Sequence, residues 1–394
     1  MPSDLTYEIL QQLISFDTTS ANSNLQLLDY IQQYLQRHGV DSHLVHDDSG
    51  RKANLYTTIG PDHIAGVMLS GHTDTVPVTG QNWTVPSHQL TVKTHADGAR
   101  WYGRGTTDMK GFIAVVLAAV PDMLAQPLHT PIHLAFSYDE EIGCIGVRRL
   151  IETLRQLPIK PAMGIIGEPT SMKVVTAHKG KLAAKVTVTG KECHSGMAPY
   201  GVNAVNYAAR LIVWLEQLAW QKRSSGPFEY GYEIPYTTVH TGVVQGGEAL
   251  NIVPNHCEFV FEFRNVAAES PRDLLASFRR YASELEAEMR QVDPNCRIDI
   301  AITSEYAGLA TANDEEVVSF VQQLTGEATT TTVNFGTEGG LFSQVLGVPN
   351  VVCGPGSMDQ GHKPDEYIES QQLEACERML KRLIKRLSQP NEGL

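Results

Sequence analysis

Positive charge is scarce in this sequence. Its 31 Lys and Arg are outnumbered by 44 Asp and Glu, for a formal net charge of −13. That balance argues against nucleic acid or an anionic membrane as a partner. Long apolar runs are absent too: the most hydrophobic stretch, Gly111 to Val120, stops at Pro121 and is too short to span a bilayer. The N-terminal stretch MPSDLTYEILQQLISF has no basic leader and carries Asp4 and Glu8, so it predicts a capped amphipathic helix rather than a signal peptide. The six cysteines (144, 193, 257, 296, 353, 376) are scattered without a CxxC pair, which excludes a disulfide framework and suits reduced thiols in the cytoplasm. No internal repeat and no low-complexity tract is present.

What the chain does have is length and pattern. At 394 residues it is too long for one ordinary core, and at 42% hydrophobic and 19% charged it is globular. Up to about residue 180, short apolar runs (Val67–Ser70, Ile132–Ser137, Met163–Ile166) alternate with helical spacing (Leu25–His38, Phe112–Leu124, Arg148–Leu157). This predicts an α/β domain with a mixed, largely parallel sheet, whose ligand site lies beyond the carboxyl ends of the strands. From 181 to 306 the order becomes strand, helix, strand, strand, helix, strand, which predicts an inserted ferredoxin-like α+β domain. After 307 the α/β pattern returns, with a helix near 314–325, a strand near 350–353 and a closing helix near 371–387. The expectation is one catalytic domain (1–180 and 307–394) interrupted by a smaller one (181–306).

Five loops carry the chemistry. They are SGHTDTVP with His72 and Asp74, GRGTTDMKG with Asp108, FSYDEEIG with Asp139, Glu140 and Glu141, IIGEPTS with Glu168, and DQGHKPDEY with His362. Imidazole and carboxylate are the oxygen and nitrogen donors zinc accepts, so five such loops on one sheet rim suggest a site for two divalent ions. His72 and Asp74 are two apart and point to one side in extended chain, so Asp74 is expected to accept the second ring N–H of His72. Of the adjacent Glu140 and Glu141, one is expected to bind metal while the other stays free to take a proton, as metal-assisted hydrolysis requires. Taken singly, each loop has a plainer reading: an N-cap for Asp108, a solvated acidic turn for Glu140 and Glu141, a surface acid for Glu168, a loop imidazole for His362.

Together, in this order and over almost the whole chain, these motifs resemble the co-catalytic zinc aminoacylase and deacylase family of metallopeptidases. The resemblance implies that His72, Asp108 and Glu168 hold one zinc ion, that Asp108, Glu141 and His362 hold a second, and that cobalt or manganese are alternatives. It implies Glu140 as general base and acid, Asp74 as the residue orienting His72, and a homodimer formed through the inserted domain. In KECHSGMAPYGVNAV, His194 matches a histidine that completes the active site of the opposite subunit, and Arg264, ending CEFVFEFR, matches a residue that grips a substrate carboxylate; Asn251 has two readings, a further substrate contact or part of a plain structural turn. The Gly336–Gly340 turn departs from the GGTDG-like turn of some relatives, and its Glu338 has two readings, partner for a substrate amine or stabiliser of the turn.

The implied reaction is hydrolysis of the amide bond of a small N-acyl-L-amino acid, N2-acetyl-L-ornithine foremost, giving L-ornithine and acetate in arginine biosynthesis. Acetylcitrulline, other acylated amino acids and succinyl-diaminopimelate are the alternative substrates. Outside this class stand a two-metal phosphoesterase and a non-catalytic metal-binding dimer.

Overall fold

The structure is a computed structural model that describes residues 1–390. The chain divides into two compact units: one made of Met1–Ala177, Leu309–Thr332 and Thr337–Leu394, the other of His178–Gly308 and Val333–Gly336.

The first unit is an α/β unit built on the larger sheet. Its strand order is His43–His46, Ala53–Ile59, Ile132–Ser137, Val67–His72, Met163–Pro169, Asn350–Gly354, Val174–His178, Leu309–Ala310. The four middle strands, from Ile132–Ser137 to Asn350–Gly354, run parallel, and His72 sits beside Ser137 in register. These strands are buried along their length, which is why they read as unbroken apolar runs rather than alternating ones. The helix Lys110–Ala118 is apolar on every side and almost wholly buried, as a helix must be when its whole circumference is covered.

One helix differs from expectation. The helical spacing at 112–124 is realised as two helices, Lys110–Ala118 and Val120–Ala125. Pro121 lies in the first turn of the second, where its missing N–H costs nothing, but it cannot continue the first. The edge strand His43–His46, its neighbour Ala53–Ile59 and the small sheet formed by Thr91–His95, Gly98–Tyr102 and Tyr367–Glu369 are additions to the elements expected from the sequence pattern.

Two glycines let backbone approach where the Glu168 loop begins. A Cβ on Gly167, one residue before Glu168, would lie 2.1 Å from Cδ1 of the buried Phe112. A Cβ on Gly354 would lie 2.0 Å from the Gly167 carbonyl oxygen. Close packing here fixes where Glu168 leaves the sheet. Phe112→Ala would open a cavity behind it at a cost of about 3–5 kcal/mol.

The second unit has the element order β-α-β-β-α-β: strand Gly180–Thr189, helix Ala204–Ser225, strands Thr238–Gly246 and His256–Asn265, helix Pro271–Arg290, strand Arg297–Tyr306. Its four strands pair antiparallel, in the spatial order Thr238–Gly246, His256–Asn265, Gly180–Thr189, Arg297–Tyr306. Strict alternation explains the layering. Leu182, Ala184, Val186, Val188, Phe259, Phe261 and Phe263 enter one apolar core together with helix residues such as Leu211 and Phe278. Intervening Lys185 and Glu258 pair at 2.7 Å on the other face. Asn203 caps the long helix by accepting from the Asn206 N–H, and Gly226, with φ +71°, ends it.

The segment Val333–Gly336, expected within the catalytic domain, clusters instead with the second unit. The reason is local: Gly336 lies so close to the Tyr306 ring that a Cβ would stand 2.2 Å from its Cε2.

Candidate metal centre

Parallel strands ending on one rim bring His72, the loop after Ser137 and Glu168 to the same place. The loop after Gly354 adds His362, and the turn before the buried helix adds Asp108. Asp108 does not cap that helix: the residue at the cap position is Met109, with no side-chain cap bond. The Asp108–Met109 peptide bond is cis.

The two oxygens of Asp108 face different imidazoles. Oδ1 lies 3.0 Å from His72 Nε2, and Oδ2 lies 3.0 Å from His362 Nε2. His362 Nε2 is also 3.0 Å from Glu141 Oε2, while His72 Nε2 is 3.6 Å from Glu168 Oε1. Donor atoms of His72, Glu140 and Glu168 lie within 4.8 Å of one another, as do those of His72, Asp108 and Glu141. All seven residues expected at the site from this unit, His72, Asp74, Asp108, Glu140, Glu141, Glu168 and His362, therefore converge.

The role expected of Asp74 is corrected in detail. His72 Nδ1 meets the Asp74 backbone carbonyl at 2.9 Å, whereas the carboxylate Oδ1 is at 3.5 Å. Besides this longer contact, the carboxylate accepts from the Glu140 N–H at 3.1 Å, from the Glu141 N–H at 3.4 Å and from Ser20 Oγ at 2.7 Å. Asp74 thus fixes the ring of His72 with its main chain and the Glu140–Glu141 turn with its side chain. Ser20 carries no metal-binding chemistry, so nothing in the sequence marked it.

Two further acidic residues pair outside the imidazole cluster. Asp139 pairs with Lys52 Nζ at 2.6 Å. Glu338 is buried and accepts from Ser137 Oγ at 2.5 Å.

The electrostatics state what the cluster lacks. Burial alone would depress His72, but the Glu168 charge and the hydrogen bonds to Asp108 and Asp74 hold its pKa well above the ordinary value. Hydrogen bonds to Asp108 and Glu141 raise His362 to about 10. Burial opposes ionisation of Asp108, yet its bonds to His362 and His72 hold it well below the usual carboxylate range. With both imidazoles committed there, the remaining acids suffer. Burial, with neighbouring carboxylates adding, pushes Glu140 and Glu168 well up and Glu141 to about 7. Burial likewise raises Glu338 to about 7. A buried excess of carboxylate over cation is costly unless positive charge enters. The mixed oxygen and nitrogen donor set fits divalent cations of the zinc type.

The residues expected from the inserted segment belong to the second unit. His194 is exposed and precedes the short helix Ser195–Tyr200, accepting from the Gly196 N–H at 3.1 Å. Its loop joins that of Asn251 through the Ser195 N–H, which donates to the Asn251 carbonyl at 2.9 Å. Arg264 donates to Glu262 Oε1 at 3.0 Å and to the Tyr306 hydroxyl at 2.6 Å.

A parallel sheet whose rim gathers carboxylates around two imidazoles defines a class: sheet-based hydrolases that work with divalent metal. Within that class the chain belongs to Peptidase family M20/M25/M40, whose sequence pattern matches residues 68–386. It is 35% identical to an acetylornithine deacetylase of Myxococcus xanthus over 380 residues, covering 95% of each chain. It is 31% identical to one from Pasteurella multocida, over 94% of this chain and 93% of the relative. Among solved structures, an M20 family metallo-carboxypeptidase from Sulfolobus solfataricus superposes with a TM-score of 0.76 at 18% identity, over 98% of this chain and all of the other. A Staphylococcus aureus tripeptidase gives 0.74 at 20% identity, over 98% and 99%. These two establish the fold.

Proposed function

We propose that this protein is a metal-dependent amidohydrolase that cleaves N2-acetyl-L-ornithine to L-ornithine and acetate, a step of arginine biosynthesis. The observation that carries the substrate is the match over 95% of both chains to an acetylornithine deacetylase. The chemistry is supported by Asp108 standing between His72 and His362, with Glu140 beside them.

In this reading two ions bind, zinc foremost, with cobalt or manganese as alternatives. His72, Asp108 and Glu168 would hold one; Asp108, Glu141 and His362 the other. Bound metal supplies Lewis acidity, polarising an amide carbonyl and making water more acidic. Glu140 does the proton work. It takes one proton from the attacking water and delivers it to the departing amine as the carbon–nitrogen bond breaks. Its raised pKa suits the return step, because a carboxyl that holds its proton near neutrality is a better acid. Asp74 keeps Glu140 in place through its backbone N–H.

Three further roles rest on sequence motifs. His194 donates to the developing oxyanion. Arg264 offers its guanidinium fork to the substrate α-carboxylate, and Asn251 assists. A homodimer through the second unit is supported by the exposed edge strand Thr238–Gly246, whose Val243 and Val244 are about half exposed. A cytoplasmic setting is supported by six free cysteines. Among the described residues, no helix is long and apolar enough to cross a membrane.

The test is a turnover panel with added zinc or cobalt: N2-acetyl-L-ornithine, acetylcitrulline, acetylmethionine, succinyl-diaminopimelate and a set of phosphate esters. The expected outcome is the highest kcat/KM for N2-acetyl-L-ornithine and no phosphate release. A higher value for any other member would replace the substrate assigned here.

A further inference from the structure

Behind the metal-binding side chains runs a second connection between the same two loops. Glu366 is buried, and its carboxylate accepts from four donors: Arg104 Nη1 at 2.7 Å and the backbone N–H groups of Gly105 at 3.1 Å, Thr107 at 3.0 Å and Asp108 at 3.1 Å. Those four bonds fill its acceptor sites. Arg104, equally buried, reaches on with Nη2 to Gln81 Oε1 at 2.5 Å, and its guanidinium stacks over the Trp83 ring. Gln81 Nε2 then donates to the backbone carbonyl of His362 at 2.9 Å. The chain of bonds begins at the main chain of one proposed metal ligand and ends at the main chain of another.

The far end needs holding. His362 has φ +61° and Asp365 has φ +54°, left-handed conformations that cost a non-glycine residue about 1–3 kcal/mol each. The first is fixed at its carbonyl by Gln81. The second is fixed by its own carboxylate, which accepts from the Thr84 N–H at 2.8 Å and from Thr84 Oγ1 at 2.7 Å. A turn in this conformation directs the His362 ring toward Asp108 Oδ2 and Glu141.

We propose that Glu366, Arg104 and Gln81 are positioning residues of the metal centre: their bonds set the separation of the Asp108 and His362 main chains, and so the affinity for divalent metal. This rests on the reading of the cluster as a metal site. A buried ion pair is weak evidence for stability in its own right, since an apolar pair of similar volume does as well. Here both ends of the network terminate on ligand backbone, which a purely stabilising pair has no need to reach. Outer partners of this kind commonly govern metal affinity by about 10–100-fold.

The experiment uses full-length protein stripped with a chelator, with zinc ion as probe. Zinc affinity is read by competition with a chromogenic chelator, and the melting temperature of the stripped protein is read beside it. Glu366→Gln keeps the volume but turns one of the two acceptor atoms into a donor. That donor faces either Arg104 and Gly105 or Thr107 and Asp108, and zinc affinity should fall by about 10–100-fold. Excess zinc should then restore much of the kcat with KM unchanged. Gln81→Leu, at a half-buried position, leaves the Arg104–Glu366 pair in place but releases the His362 carbonyl, Arg104 Nη2 and Trp83 Nε1; it should weaken zinc by about tenfold with a smaller loss of melting temperature than Glu366→Gln. If Glu366→Gln does not fold, Gln81→Leu decides alone. Wild-type protein that binds no zinc would end the reading of the cluster. Wild-type protein that binds zinc, with folded variants binding it within twofold as tightly, would overturn this inference alone, whatever happens to the melting temperature.

Discussion

Asp108 Oδ2 lies 3.0 Å from His362 Nε2, although the first residue follows the strand Gly98–Tyr102 and the second the strand Asn350–Gly354. Its other oxygen is as close to His72. One carboxylate shared by two imidazoles is the geometry on which the proposed chemistry turns.

Asp108→Asn tests that sharing. The amide keeps the shape but loses the charge and one acceptor. Zinc affinity should fall by more than the about 100-fold typical of an outer partner, and hydrolysis should fall with it. Equilibrium dialysis followed by metal analysis checks it; wild-type metal content in Asp108→Asn would remove the bridging role.

Glu140→Gln separates base from ligand. Metal content should stay at the wild-type level while kcat drops by about 10²–10⁴-fold, the usual contribution of a positioned acid–base group. Turnover near the wild-type rate would reassign the proton transfer.

His194→Ala should lower kcat by about 10²–10³-fold with unchanged metal content, as expected for loss of one oxyanion donor. Equal activity would take His194 out of the reaction. In a mixture of His194→Ala and Glu140→Gln subunits, recovery of activity would support a site completed by the partner chain.

The pH dependence of stability has a definite sign. In metal-free protein, Glu141 and Glu338 have folded pKa values raised to about 7 and His362 one raised to about 10. The folded state therefore binds more protons than the unfolded state, for the acids between about pH 4.5 and 7 and for His362 between about pH 6.5 and 10. The stability these groups supply is present at the low end of each window and lost as pH rises through it. Metal needs deprotonated ligands and displaces those protons. The melting temperature of stripped protein should thus fall from pH 6 to pH 8.5, and the increment given by zinc should widen. Differential scanning calorimetry at both pH values checks this; a constant increment would contradict the protonation scheme.

Much of the fold and of the site could be read from sequence because parallel strands are apolar throughout and end abruptly. Residues such as His72 and Glu168 stand at those ends, where a polar side chain is conspicuous. The break between Ala118 and Val120 was hidden because helical spacing continues across Pro121. The shorter contact of Asp74 with His72 comes from its backbone carbonyl, which has no sequence signature, with the carboxylate at 3.5 Å behind it. Glu366 and Arg104 were invisible as a pair: each resembles a surface charge in its own loop, and only the fold buries them against one another. Likewise nothing in Val333–Gly336 announces that it packs with Tyr306.

The most direct test of the central claim is a titration of stripped protein with zinc while release of L-ornithine from N2-acetyl-L-ornithine is followed. Turnover should be negligible without metal and should rise with bound zinc to saturation, in wild-type protein but not in Asp108→Asn. Full turnover by metal-free protein, or full zinc occupancy with no acetyl release, would contradict the account.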